Sequence, residues 1–314
     1  MDRILVNDPT MGTFAVSAPG ALPCVGTAPV NWNNRDLPDW GTPLPFPAIL
    51  DAMVAAGYTG TEYGAEFPTD PEELRASLAP RGLRLSGAYQ WLHFRDDARL
   101  EGERRALERL LATLAATGCA DLIVADAMTP ERISLAGHVP LDGSAGLNDS
   151  EWSLLGRNLT SVAVQAAAWG IRTHYHNHVG SFVETPSEVD RLLHGLDFPT
   201  VDLCFDTGHY AYGGGDPTAF VAEHHDRIGY LHLKDVCPTA LMAAREQRWS
   251  FLEALRHCIF CEFGDGIVDI PLVVDTLRTS GYVGWIVVEQ DTSSRPPTES
   301  AAASRQYLRE QCGI

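Results

Sequence analysis

The sequence predicts one α/β domain, a single (β/α)8 barrel preceded by a short N-terminal extension. Three observations carry this. Short β-branched or apolar runs alternate with longer amphipathic stretches almost from end to end, as repeated βα units require. Eight such strands fit within roughly 260 residues, the size of a closed eight-stranded barrel. The Gly-x-Gly-x-x-Gly turn that a doubly wound sheet would carry after an early strand is absent. No linker or internal repeat marks a second domain, so residues 26–314 are read as the barrel and 1–25 as the extension.

The first strand is placed at 26–32, followed by a polar loop and a helix over about 47–56. The second covers 58–63, and its helix opens at Thr69-Asp70-Pro71 with a capping residue, an N-terminal proline and early acids. The third covers 84–90, with a long helix over about 100–117. The fourth covers 121–125, and a loop rich in Gly, Asp and Pro leads to a helix over about 150–169. The fifth strand is 171–176, its helix beginning at Thr185-Pro186. The sixth is 201–206, with Asp216-Pro217 opening the next helix. The seventh is 228–234 and the eighth 285–289, and the last twenty residues read as a loop and a terminal helix. Residues 14–17 are a candidate extra strand or cover for the barrel floor.

The chain of 314 residues has 23 Lys plus Arg against 41 Asp plus Glu, a net charge of −18, and no basic run. That balance speaks against coating nucleic acid or an anionic membrane, whose phosphates are bound by Lys and Arg. No stretch approaches a membrane span of about 18 apolar residues. Charge and proline interrupt the first nine residues before a signal core forms, so the cytoplasm is the expected location. Seven scattered cysteines suit reduced thiols, and the lone Cys258-x-x-Cys261 lacks the second ligand pair of a zinc knuckle.

In such a barrel the C-terminal strand ends converge on one mouth. Here the fifth ends His174-Tyr-His176-Asn-His178, the sixth Asp206-Thr-Gly-His209, the seventh His232-Leu-Lys234-Asp235 and the eighth Glu289-Gln-Asp291. Side chains alternate along a strand, so His174, His176 and His178 share a face. One imidazole of this triplet with Asp206, His232 and Glu289 makes a mixed N/O shell, suited to a transition-metal dication rather than Ca²⁺ and open to substrate oxygens. His209 is a further ligand, a proton shuttle or a residue that steadies a ligand. Glu62, His209 and Lys234 are the acid–base candidates, with burial expected to lower the Lys234 pKa. Asn31, Trp32, Trp91, His93 and His178 are candidates for the substrate wall.

These strand ends, with Glu-Phe-Gly-Asp-Gly-Ile-Val-Asp at 262–269, Gly-Tyr-Val-Gly-Trp-Ile-Val-Val-Glu at 281–289, Ala-Pro-Val-Asn31-Trp32-Asn, and Gly-Tyr-Thr-Gly-Thr-Glu62-Tyr-Gly, resemble the xylose-isomerase-like TIM-barrel superfamily of sugar isomerases and epimerases. Within it the chain is most similar to the inosose dehydratases of inositol catabolism, from Gly26 through Asp291. Most of the superfamily places a glutamate ligand where His176 stands, before Asn177-His178. The resemblance therefore implies His176, Asp206, His232 and Glu289 as the ligands of a divalent ion, manganese or cobalt, with zinc, iron and magnesium as alternatives. A neutral ligand in place of an anionic one makes the bound ion a stronger Lewis acid, which suits a dehydratase better than an aldose–ketose isomerase.

The resemblance implies a metal-dependent lyase that dehydrates a keto-cyclitol of the 2-keto-myo-inositol type by α-proton abstraction and loss of the β-hydroxyl. The alternative is an epimerase or isomerase of a ketose or keto-cyclitol through the same enolate. A degenerate metal-binding subunit is a third reading, opposed by the full ligand set. The superfamily's DNA-repair endonucleases are opposed by the charge. The expected partner is a small polyol or keto-sugar, and residues 1–25 are candidates for influencing homo-oligomer formation.

Overall fold

The computed structural model describes residues 23–195 and 200–314. Eight parallel strands close into a barrel in the order β1-β10-β7-β6-β5-β4-β3-β2. They are β1 (Cys24–Thr27), β2 (Gly60–Tyr63), β3 (Arg84–Leu92), β4 (Asp121–Asp126), β5 (Arg172–His176), β6 (Val201–Asp206), β7 (Ile228–Leu233) and β10 (Trp285–Val288). The ring is closed by the first and last of these, with Cys24 opposite Trp285 and Thr27 opposite Val288. Strand β1 thus begins two residues before the expected boundary at 26, and it stops early. Pro29 has no amide proton for a ladder, and Pro29–Asn31 turn into a short 3-10 helix instead. The candidate strand at 14–17 lies outside the described residues.

The other element absent from the sequence reading is a small antiparallel ribbon, β8 (Asp235–Val236) against β9 (Phe260–Cys261). Outer helices are α1 (Phe46–Ala56), α2 (Pro71–Leu78), α3 (Asp97–Thr117), α5 (Asp149–Ala167), α6 (Pro186–Gly195), α8 (Pro217–His224), α11 (Ile270–Thr279) and α12 (Pro297–Tyr307). The remaining helices, α4 (Pro130–Leu135), α7 (Thr207–Tyr212), α9 (Pro238–Gln247) and α10 (Phe251–Arg256), lie within the connections.

Local chemistry explains the helix starts. Asp70 accepts from the Glu72 amide ahead of Pro71, and Asp216 accepts from the Thr218 and Ala219 amides ahead of Pro217. Asn148 and Glu151 form a reciprocal capping box on α5. Helix α12 folds back onto α1, where Tyr58 donates its hydroxyl proton to the Ala301 carbonyl and Arg305 donates to the Gly57 carbonyl.

One apolar layer lies between strands and helices, with Leu50, Met53, Leu111, Leu159 and Val273 buried in it. A smaller cluster of Ile123, Cys204, Tyr230 and Val287 fills the barrel interior beneath the mouth. Among the described residues, no helix is long and apolar enough to cross a membrane, and all seven cysteines are free thiols.

Candidate active site

Each motif at the mouth has a physical explanation. Asp206 ends β6 and caps α7, its Oδ1 accepting the His209 amide at 2.7 Å, which leaves Oδ2 aimed into the barrel. Thr207 stitches two strand ends together, its hydroxyl donating to the Lys234 carbonyl at 2.7 Å and accepting the Lys234 amide at 3.0 Å. Gly208 follows because a Cβ there would come within 2.6 Å of the Lys234 side chain. Asn177 and Asp206 exchange side-chain–backbone hydrogen bonds at 3.1 and 2.9 Å, fixing the ends of β5 and β6 relative to one another. Asp235 faces away from the mouth and gathers the 262–269 loop through the amides of Gly264, Gly266 and Val268.

Four buried side chains meet at the centre. One ligand atom from each of His176, Asp206, His232 and Glu289 lies within 4.8 Å of the others. His176 Nε2 is 3.4 Å from Asp206 Oδ2, and His232 Nδ1 is 3.2 Å from Glu289 Oε2. Both His176 nitrogens, Asp206 Oδ2 and His232 Nδ1 are buried without a hydrogen-bond partner among the described residues. Buried polar atoms are rarely left so, and a converging set of imidazole and carboxylate atoms fits a divalent metal ion. Glu62 binds the other nitrogen of His232, Nε2, at 2.7 Å, the carboxylate–histidine arrangement that fixes a ligand's ring and tautomer.

Burial holds His176 below the ordinary histidine pKa. For Asp206 and Glu289 burial opposes ionisation, but Lys234 and the neighbouring imidazoles outweigh it, so both carboxyls lie below their usual range. Cys204, two residues before Asp206 and on the same face, forms an alternative group with His176 and His232. This thiol belongs to the apolar cluster beneath the mouth. Burial pushes it up to about 12, which makes it a poorer anionic ligand than Asp206 or Glu289.

Lys234 departs from its expectation. Its Nζ lies 3.0 Å from Asp291 Oδ1, 3.1 Å from Glu289 Oε2 and 3.6 Å from Asp206 Oδ2. Burial alone would lower its pKa, but the three carboxylates more than compensate and raise it, so Lys234 is an ammonium. His209 Nε2 is 3.3 Å from Nζ, while its Nδ1 accepts the Val179 amide at 3.3 Å. A neutral imidazole accepts at one nitrogen only, so only one of these contacts is a hydrogen bond at a time. Burial, followed by the His178 and Lys234 charges, keeps His209 well below the usual histidine pKa.

The remaining predicted residues separate. Trp91 lines a cavity of about 1150 Å³ that reaches Glu62 and Glu289, and its ring meets His178 edge-on at 4.7 Å. His178 in turn lies 3.8 Å from the His209 ring. Asn31 is occupied with framework contacts, donating to Thr27 and accepting the Gln290 amide. Trp32 is buried and donates to Thr298 at the start of α12, and both Asn31 and Trp32 line a different cavity, beside Trp40 and Gln290. His93 is paired with Glu103 of α3. His174 lies deeper in the barrel, 2.8 Å from Asp121 at the opposite end of the strands. Conversely, Asp36, Tyr89 and Gln90 line the main cavity and were not singled out from the sequence. Tyr89 was accessible by alternation, two residues before Trp91 on β3, whereas nothing in a polar loop marks Asp36.

The chain matches the model of the xylose isomerase-like TIM barrel family over residues 30–311. It is 34% identical over 295 residues to an inosose dehydratase of Geobacillus thermodenitrificans strain NG80-2, covering 92% of this chain and 97% of that protein. It is 36% identical over 285 residues to the rhizopine catabolism protein MocC of Rhizobium meliloti, covering 89% and 86%. Among solved structures, the IOLI protein with a bound zinc atom superposes with a TM-score of 0.69 at 12% identity, over 92% of this chain and 98% of that one. The chain belongs to the xylose isomerase-like TIM barrel family.

Proposed function

We propose that this protein is a metal-dependent hydro-lyase that removes water from a keto-cyclitol of the 2-keto-myo-inositol class. The observation that carries the reading is the convergence of four buried side chains, with ligand atoms of His176, Asp206 and His232 unpaired and Glu289 lining a large cavity beside a buried ammonium. Kinship with an inosose dehydratase across nearly the whole of both chains supports the substrate class.

His176, Asp206, His232 and Glu289 would hold the divalent ion, manganese or cobalt in first place, with zinc, iron and magnesium as alternatives. The ion supplies Lewis-acid stabilisation of the charge that develops on the ketone oxygen. Lys234, kept protonated by its three carboxylates, would donate to the departing β-hydroxyl. Glu62 is engaged with His232, which supports a positioning role rather than proton transfer. His209, held neutral by burial, stands behind Lys234 with its Nε2 3.3 Å from Nζ, which supports a role in positioning the ammonium. Trp91 gives the cavity an aromatic side suited to the apolar face of a ring, with His178 packed behind it.

Mass spectrometry of 2-keto-myo-inositol after incubation with metal-loaded protein tests this. Loss of one water, abolished by chelator, is expected. An unchanged mass with a new isomer peak would replace the lyase with an epimerase. No change with metal bound would overturn the assigned substrate.

A further inference from the structure

We propose that Asp36 is the catalytic base that removes the substrate's α-proton, a role that rests on the dehydratase reading above. The acids lining the main cavity are Asp36, Glu62, Glu66 and Glu289. Glu62 is engaged with His232, and Glu289 with His232 and Lys234. Glu66 is exposed at the rim. Asp36 is half-buried, and its carboxylate has neither hydrogen bond nor ion pair among the described residues.

The loop that carries it is nonetheless fixed. Asn34 Oδ1 accepts the amides of Asp36 and Leu37 at 2.8 and 3.3 Å, while Asn34 Nδ2 donates to the Asp291 carbonyl at 2.9 Å. Leu37 is 1% exposed and anchors the turn. The β1 loop is thus tied to the chain just beyond Glu289. Asp36 and Tyr89 line the same cavity, and the Tyr89 hydroxyl is buried with no partner. The Tyr89 ring meets His176 edge-on at 5.3 Å. A residue with an unpaired carboxylate and one with an unpaired hydroxyl therefore line the cavity that Glu289 enters from the ligand cluster. Burial lifts the Asp36 carboxyl above the ordinary aspartate pKa against the pull of Lys234 and Arg35, which favours accepting a proton.

The chemistry balances without a co-reactant. The α C–H bond breaks, its proton passes to the Asp36 carboxylate, and its electron pair forms a C=C bond as the ketone oxygen takes up the charge. The β C–O bond then breaks as that charge returns to restore the ketone and form the new C=C bond. The Lys234 ammonium gives a proton to the departing hydroxyl, which leaves as water. Proton return from Asp36 to Lys234 through solvent restores both groups. Tyr89 holds a substrate hydroxyl beside Asp36 and acts as a positioning residue.

The test uses the full chain loaded with Mn²⁺ and 2-keto-myo-inositol in D₂O, following α-deuterium incorporation by NMR together with dehydration, KM and metal stoichiometry. Asp36→Asn is expected to lower both exchange and kcat by about 10³-fold, with wild-type metal content and KM within about threefold. Asp36→Glu should recover part of the exchange. Tyr89→Phe should raise KM several-fold with smaller loss of exchange, consistent with one lost hydroxyl contact. Exchange and dehydration by Asp36→Asn within about tenfold of wild type would overturn the assignment, since a general base contributes more than that. Loss of metal or of folding in Asp36→Asn together with an undiminished Asp36→Ser variant would do the same. A wild type that neither exchanges nor dehydrates would instead overturn the dehydratase reading, and the base role with it.

Discussion

His174 and His176 lie two residues apart on β5, both turned into the barrel, yet their surroundings are opposite. His174 binds Asp121 at 2.8 Å, and Arg172 binds the same carboxylate at 2.7 Å. Gly229 makes room, since a Cβ there would come within 2.7 Å of the His174 ring. His176 has neither nitrogen paired and faces Asp206, His232 and Tyr89. His174 keeps one nitrogen, Nδ1, unpaired but has its Nε2 taken by Asp121, whereas at the mouth both His176 nitrogens and Asp206 Oδ2 are left without a hydrogen-bond partner. A buried imidazole is thus no guide to function by itself. What distinguishes the two is whether the neighbouring carboxylate is already committed.

That contrast can be broken at several points. His176→Ala should abolish stoichiometric metal binding, measured by elemental analysis after dialysis, and reduce turnover by about 10³-fold; full metal content would remove His176 from the ligand set. Glu62→Gln should be milder, weakening metal affinity by about 10–100-fold through a less well oriented His232, as loss of a ligand's supporting hydrogen bond does. An affinity equal to wild type would show that His232 is held by other contacts.

At the opposite end, His174→Ala should destabilise the fold by about 2 kcal/mol by depriving buried Asp121 of a donor, lowering Tm by roughly 4 °C, while metal content stays at the wild-type level. A loss of metal in this variant would erase the distinction between the two ends. The smallest effect is expected for Trp32→Phe, about 1 kcal/mol of stability from the lost bond to Thr298, with kcat/KM unchanged. A selective fall in kcat/KM would return Trp32 to the substrate wall.

The barrel was legible because parallel strands are buried on both faces and stand out as apolar runs such as Leu122-Ile123-Val124. Its helices were legible where capping chemistry is local, as at Asp70-Pro71 and Asp216-Pro217. The β8–β9 ribbon, two residues per strand, is too short to leave a periodic signal. At the mouth, alternation and strand position brought forward the residues that converge, but they did not separate His176 from His174. Only the tertiary location of Asp121 does that. Lys234 was misjudged for a similar reason: burial was foreseeable from its strand position, whereas the approach of Asp291 and Asp206 from other strands was not. Trp32 illustrates the reverse error, an aromatic at a strand end occupied with α12 rather than with the mouth.

The pairing of β1 with β10 also sets a timetable for the protein's synthesis. The first half of the ring, β1 to β4, contributes none of the four converging side chains, and these arrive in turn with β5, β6, β7 and the residue that follows β10. The emerging chain must therefore carry Asp206 and the two imidazoles before their last partner is made. Glu289 reaches them only as the final strand docks against the first. Capture of the ion by the full quartet is thereby coupled to closure of the ring, and a chain cut short before β10 would lack the last anionic arm of its own site.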